Sequence, residues 1–321
     1  MDFYSEIEAG NGVAIETVLV TGAGGPAGSS LVNQLKERGL RVVATDIVHD
    51  PAVAQRADYF VVGPRADDLG LIPFLLGLCE DPTLRIDVFI PTVQDELLQV
   101  AAAAPAFPCQ VMISPAHAVG LAHDKLLTAT FAERAGLPVP RTVSGALDAD
   151  RWGEEMGFPV VAKPRVSRGG RGVRVLESLD SAEADAVDAG DIVQQFAEGV
   201  EYCPQLYRSP VTGEFTSIVL AKTKLKQGRV GNAESVARVE DIDESTEISA
   251  LGAHIMEAFG LVGAVDMDIR RMGDGRPVLL EINARFGANS ATAPEILDAV
   301  LGDAARGAFA SSPALGVVAA S

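Results

Sequence analysis

The chain has no basic excess: 26 lysines and arginines stand against 44 aspartates and glutamates, a formal charge of −18 over 321 residues. Nothing offsets repulsion from a phosphate backbone, so a nucleic-acid partner is not expected; the acidic surface is compatible with simple solubility. Cysteine is scarce. Cys79, Cys109 and Cys203 form an odd, dispersed set without metal-ligand spacing, which argues against a disulfide framework and fits a reducing cytosol. There is no run of about 18 apolar residues that could span a bilayer, so no membrane partner is expected. Met1 to Glu16 is acidic and lacks an apolar core, so no signal peptide is expected and the location expected is cytoplasmic. Internal repeats and low-complexity segments are missing too. What is left, 48% hydrophobic and 22% charged residues, is an ordinary globular composition long enough for two or three packed units.

The most informative stretch is Val278-Leu279-Leu280-Glu281-Ile282-Asn283-Ala284-Arg285. On a strand, residues two apart share a face, which puts Glu281, Asn283 and Arg285 on one side. Asp268 lies in a second strand-like run, Ala264 to Ile269, and Met272-Gly273-Asp274-Gly275 is a turn between the two. A hairpin there lets the Asp268 carboxylate join the others. Hard oxygen donors converging in this way suit magnesium held together with substrate phosphates, and so nucleotide chemistry.

Residues 17 to about 114 alternate strand-like and helix-like segments, with strands at Thr17–Thr21, Arg41–Thr45, Tyr59–Val62, Ile86–Ile90 and Gln110–Ile113. This pattern predicts a parallel sheet with helices on both faces. A helix follows at Asp124–Ala135, ended by Gly136 and the breakers Pro138 and Pro140. Strands are expected at Val160–Lys163, Gly172–Leu176, Asp191–Phe196, Glu201–Tyr207 and Phe215–Lys226, and a helix at about Glu244–Phe259.

Two glycine-rich segments carry alternatives. Thr21-Gly22-x-x-Gly25-x-x-Gly28, with Asp46 closing the second strand, is a dinucleotide-binding fingerprint, in which an acid holds the ribose. It is equally a tight strand-to-helix turn. The Tyr-x-x-x-Lys pair that short-chain dehydrogenases and epimerases need is absent from this chain. The second segment, Ala162-Lys163-Pro164 followed by Ser167-Arg168-Gly169-Gly170-Arg171-Gly172, lacks the Walker pattern. A lysine at a strand end before a flexible loop can nonetheless cover a polyphosphate; a plain hairpin is the alternative.

The order of these parts resembles the ATP-grasp superfamily, nearest to single-module ligases like the carbamoyl-phosphate-synthase large subunit. The likeness runs over about residues 17 to 305 and rests on Lys163-Pro164 with its loop and on Glu281-Ile282-Asn283-x-Arg285. Ile90-Pro91-Thr92-x-x-Asp95-Glu96-Leu97 and Gly136-x-Pro138-x-Pro140 are weaker landmarks. The fold implied is α/β: a Rossmann-like parallel-sheet domain over 1–114, then an ATP-grasp fold of two α+β subdomains, 115–190 with the glycine lid and 191–321 with the nucleotide and magnesium site.

The resemblance also implies roles. Lys125 and Lys163 contact the ATP phosphates, and the loop of Ser167, Gly169, Gly170 and Gly172 closes over them. Gln194 and Gln195, with the backbone of Phe196 and Ala197, face adenine, and Glu201 accepts from ribose hydroxyls. Asp268, Glu281 and Asn283 match magnesium ligands, Glu281 bridging two ions; Arg285, with Lys163, stands by the transferred phosphoryl group. Asp266 shares a strand face with Asp268, which is preferred by its spacing to Glu281. Lys222, Lys224 and Lys226 alternate on one face, fit either for phosphate or substrate carboxylate or for a solvated edge. Ala284 and Gln205 depart from the family pattern, which bears on acceptor geometry rather than on phosphate or metal.

The reaction implied is ATP-dependent ligation of a small carboxylate to an amine through an acyl phosphate, releasing ADP and phosphate, in a chain whose size is compatible with a homodimer. Bicarbonate phosphorylation with carbamoyl transfer, an NAD-dependent epimerase or reductase built on the first turn, and a nucleotide-sensing protein without turnover are the alternatives.

Overall fold

The computed structural model describes residues 14–146, 150–180 and 182–309. The first unit contains β1 (Thr17–Val20), α1 (Pro26–Glu37), β2 (Arg41–Asp46), α2 (Pro51–Arg56), β3 (Tyr59–Val62), α3 (Leu71–Glu80), β4 (Val88–Ile90), α4 (Leu97–Ala103) and β5 (Gln110–Val111). Its five strands pair in parallel in the order β3-β2-β1-β4-β5. Val18 to Val20 of β1 and the whole of β4 are unbroken apolar runs, because helices cover both faces. Phe89 and Phe107 fill one side of this sheet; Leu31, Val32 and Leu35 of α1 fill the other. The expected Rossmann-like domain is present. Cys79 and Cys109, distant in sequence, bring their sulfurs to 3.5 Å as buried free thiols.

The turn from β1 into α1 needs its glycines for packing. A Cβ on Gly28 would lie 2.2 Å from the Gly22 carbonyl oxygen and 2.7 Å from Ala23 Cα. Gly28→Ala is therefore expected to lose about 3 kcal/mol by forced backbone displacement, outweighing the roughly 1 kcal/mol by which alanine ordinarily surpasses glycine in a helix. Thermal or denaturant unfolding of the variant measures this; an alanine variant as stable as the parent contradicts the packing argument.

Beside this turn, Glu96 is fully buried and accepts from the Thr21 hydroxyl and the Val93 N–H. Burial, reinforced by the charge of Asp46, pushes its carboxyl up to about 7 against the opposing hydrogen bonds. With the folded value above the unfolded one, protonation favours the fold. The contribution is complete below the unfolded value of 4.5 and is lost as pH rises through about 7. Glu96→Gln is expected to remove this dependence and to gain up to about 3 kcal/mol over the parent at pH 8. Denaturant titrations of both proteins at pH 4.5 and 8 test it; an equal stability difference at the two pH values would refute it.

Next come α5 (Ala116–His123), α6 (Lys125–Arg134), β6 (Thr142–Ser144), α7 (Asp150–Met156), β7 (Val160–Pro164), β8 (Arg174–Leu176), α8 (Ala182–Asp185) and β9 (Asp191–Gln195). The strands make an antiparallel sheet ordered β6-β9-β7-β8, packed on Trp152 and Met156. Strand β9, expected to open the last subdomain at 191, completes this small sheet instead.

The last unit holds β10 (Glu201–Tyr202), β11 (Gln205–Arg208), β12 (Phe215–Ile218), β13 (Leu220–Gln227), β14 (Val230–Arg238), α9 (Ile242–Phe259), β15 (Gly263–Arg271), β16 (Pro277–Asn283) and α10 (Pro294–Ala305). The sheet runs β12-β11-β15-β10-β13-β14, with β16 on the other edge of β15. The single strand expected at Glu201–Tyr207 is two, interrupted at Cys203 and Pro204; proline has no N–H to continue the ladder. The strand expected at Phe215–Lys226 also divides, at Val219. Ile296, Leu297 and Val300 of α10 join the core of the first sheet, so the first unit and α10 share one apolar interior.

Candidate active site

Strands β15 and β16 form the hairpin expected around Gly273 to Gly275, antiparallel, with Asp268 opposite Glu281 and Asp266 opposite Asn283. A bulge directly after Asp268 shifts the register toward the turn. Cross-strand partners lie close enough to act on one group, so two carboxylates face a common point.

Three lysines from three elements meet them. Asp124 caps α6 through the N–H groups of Leu126 and Leu127 and pairs with Arg165 at 2.6 Å. Although burial opposes it, that arginine and the capping bonds hold the Asp124 carboxyl below the usual range. The cap fixes Lys125 at the first helical position, where its Nζ lies 3.2 Å from Glu281 Oε1 and donates to the Ser167 carbonyl at 2.9 Å. Lys163 on β7 donates to the Leu280 carbonyl at 3.4 Å. Burial, assisted by Lys125, pulls its ammonium down to about 8 against the attraction of Glu281 and Asp268. Lys222 on β13 bridges Glu201 Oε1 at 2.5 Å and Asp268 Oδ1 at 2.7 Å. Burial works against its charge, but Asp268 and Glu201 outweigh that and hold its proton more tightly than in an ordinary lysine.

Lys222, Lys224 and Lys226 are not equivalent. Irregularities in the β13–β14 ladder break their alternation. Lys222 is 4% exposed, whereas Lys224 is 65% exposed and paired with Glu234; Lys226 reaches the cleft described below. The solvated-edge reading holds for Lys224 and fails for Lys222.

Arg285 follows the end of β16, donating to Asn283 Oδ1 at 3.0 Å and lying 3.8 Å from Asp266 Oδ2. Asp266 also accepts from Gln205 at 2.5 Å and from Asn283 at 3.3 Å. Burial, then the charge of Asp268, pushes its carboxyl up to about 6. Asp266 thus orients the residues around it, and Gln205 serves as its donor. Neither role is visible in the spacing alone.

The other candidates are placed as follows. Gly169, Gly170 and Gly172 all have φ near +70°, which only glycine adopts freely. They shape a loop between β7 and β8, with Ser167 at its root on Lys125. Gln194 spends its amide on the Thr142 hydroxyl at 2.9 Å. Gln195 ends β9, and Phe196 and Ala197 beyond it are buried, with Arg229 and Arg270 stacked 4.5 and 5.1 Å from the Phe196 ring centre. Glu201 is buried, with one oxygen on Lys222 and the other 3.3 Å from Arg270. A carboxylate retains further acceptor sites in that state.

Among the described residues no cluster of three or more His, Cys, Asp or Glu side chains could hold a metal by itself. Two carboxylates and the Asn283 amide oxygen are fewer than a dedicated cage requires. They do match a hard cation that takes its remaining oxygens from phosphates and water.

A cleft of about 1230 Å³ opens here, lined by Gly169, Asp268, Glu281, Asn283 and Arg285. It continues to the β1–α1 turn of the first domain. In that turn the Gly24 N–H is donated to Asp46 Oδ2 at 2.9 Å. Asp46, the acid that a dinucleotide reading assigns to a ribose, here also ties down its own turn.

A sequence profile of the ATP-grasp domain matches residues 122–289. The carbamoyl phosphate synthase large chain of Rubrobacter xylanophilus is 27% identical over 201 residues, 55% of this chain and 18% of that protein. The D-alanine–D-alanine ligase of Ectopseudomonas mendocina is 27% identical over 176 residues, 52% of this chain and 56% of that protein. The chain therefore spans less than two thirds of either relative. Among solved structures, N5-carboxyaminoimidazole synthetase from Staphylococcus aureus complexed with ADP superposes with a TM-score of 0.71 at 16% identity, covering 95% of this chain and 80% of that one. An L-amino acid ligase from Bacillus licheniformis gives 0.67 at 18% identity, covering 86% and 68%. These two likenesses concern the fold.

Proposed function

The chain belongs to the ATP-grasp family, and we propose that it is an ATP-dependent carboxylate–amine ligase acting on small molecules. The observation that carries this reading is the meeting of Asp268 and Glu281 across β15–β16 with the ammonium groups of Lys125, Lys163 and Lys222. A carboxylate attacking the γ-phosphorus of ATP meets repulsion from the triphosphate. Lysines fixed by burial offset that repulsion without reorganising as the bond forms. Lys125 and Lys163 are assigned to the phosphates, and Arg285, fixed by Asn283, to the transferred phosphoryl group. Magnesium held by Asp268, Glu281 and the Asn283 oxygen would neutralise phosphate charge. The glycine loop then excludes water from the acyl phosphate until an amine displaces phosphate.

The names of the relatives support C–N bond formation with ATP in general and leave the acid and amine to be identified. The measurement that tests the reading is calorimetric titration with Mg-AMP-PNP, followed by phosphate release over pairs of carboxylic acids and amines. The expected result is nucleotide binding, with ADP and phosphate formed only when a particular acid is present. Failure to bind the nucleotide overturns the reading; binding without turnover across a broad panel favours a nucleotide sensor.

A further inference from the structure

The cleft also contains cationic groups to which the proposed phosphoryl transfer assigns no role. Arg168 and Arg171 project from the glycine loop, and Arg65 lies across the cleft in the segment after β3. Burial first, then the charges of Arg171, Arg65 and Arg285, loosen the Arg168 proton. Arg65, Arg171 and Arg285 are therefore close enough to act on Arg168, in a chain whose net charge is −18. Their partners are few. Arg168 touches Asp95 of the first domain, and among the described residues Arg65 meets only the exposed Asp67, at 3.2 Å. Arg171 has no carboxylate partner among the described residues. Like charges gathered in a cleft are unfavourable until an anion enters.

A second, independent observation lies on the same wall. Gln94, in the segment after β4, is 5% exposed, and its buried Oε1 has no hydrogen-bond partner among the described residues. Buried polar atoms are nearly always paired, so this acceptor is left for an N–H or O–H of a bound molecule. The cleft has the room: its volume of about 1230 Å³ exceeds the range of roughly 300–1,000 Å³ usual for one small ligand. At the β1–α1 turn the Asp46 carboxylate already holds the Gly24 N–H and its charge opposes an anion there.

We propose that Arg65, Arg168 and Arg171 form a second anion subsite between the glycine loop and the first domain, with Gln94 accepting from a neighbouring amino or hydroxyl group. Its identification as a substrate subsite rests on the ligase reading. The acid substrate is then a small polar molecule with two anionic groups, one reacting near Arg285 and the other, a carboxylate or a phosphate, held by these arginines. Asp95 occupies Arg168 until that anion displaces it.

The probes are inorganic phosphate, malonate and acetate, titrated by calorimetry and thermal shift into the full chain saturated with Mg-AMP-PNP. Phosphate, malonate or both are expected to bind and raise the melting temperature, with acetate at least tenfold weaker; the preferred dianion identifies the second group. R65A/R171A, at two exposed positions, is expected to weaken that binding at least tenfold, and R65K/R171K to recover part of it. D95N frees Arg168 and is expected to tighten binding, which a merely structural Asp95 would not do. No dianion binding to the parent, or binding that survives R65A/R171A, overturns the subsite. If AMP-PNP itself does not bind, the ligase reading fails, while the same titrations on nucleotide-free protein still decide the arginine site.

Discussion

Glu281→Gln is expected to lower ATP-dependent phosphate release by about three orders of magnitude while leaving the fold intact. The substitution keeps the shape of the side chain and the β15–β16 pairing, and removes one negative charge. In the parent that charge faces Asp268 across the hairpin, accepts Lys125 at 3.2 Å, and is the strongest influence keeping Lys163 protonated. Without it the phosphate lysines lose their fixed counter-charge and the proposed cation loses one of only two carboxylates. Loss of one preorganised electrostatic group of this kind costs on the order of 10²–10³ in rate, and the disturbed lysines justify the upper end. Single-turnover phosphate release, with circular dichroism and melting temperature as fold controls, measures the effect. A variant with parental turnover would remove Glu281 from the chemistry.

The hairpin was legible because its signals are local. A Gly-Asp-Gly turn between two apolar runs defines antiparallel partners, and alternation then puts Asp268 and Glu281 on one face. Lys222 was not distinguishable from Lys224, because irregular pairing of β13 with β14 decides which lysine turns inward and leaves no mark in the spacing. Strand β14 itself went unrecognised: its residues are all exposed or half-buried, and small and polar ones interrupt the apolar ones, so it lacks the apolar alternation that betrays a strand. Asp191 to Phe196 was recognised as a strand, but its partners β6 and β7 are a tertiary choice, and so is the subdomain boundary. The contact of Arg168 with Asp95 joins the glycine loop to another domain; neither segment announces the other. The packing role of the Gly22–Gly28 turn, where a Cβ on Gly28 would meet the Gly22 carbonyl at 2.2 Å, is likewise a tertiary fact that the glycine spacing does not carry.

The lysine pair behind the hairpin links the two halves of the proposed site. Lys125 is fixed by the cap at Asp124 and touches both Glu281 and the root of the glycine loop. A movement of that loop is therefore felt at the carboxylates without a longer chain of contacts. Lys163 enters from the small sheet and ends on the backbone of β16. Among the described residues its ammonium has a single carbonyl contact, and it is drawn to Glu281 through space. It is the cation most exposed to a change in the charge of the cleft.

Lys163→Ala is accordingly expected to cost about 10²–10³ in the rate of phosphoryl transfer and to abolish a proton uptake that accompanies nucleotide binding. Burial holds the parent ammonium at about 8, below its ordinary 10.5. Near pH 8 the free protein therefore carries this lysine about half protonated. A triphosphate placed beside it favours the charged form, so binding draws in roughly half a proton per site at that pH. The uptake should vanish at pH 6.5, where the ammonium is already complete. Titrations of Mg-AMP-PNP in buffers of different ionisation enthalpy measure the protons taken up. In Glu281→Gln, which lacks the main attraction holding the proton, the uptake should reach its maximum at a lower pH. A lysine whose removal changes neither the rate nor the proton count would be a packing residue, and the phosphate site would have to be sought elsewhere along the cleft.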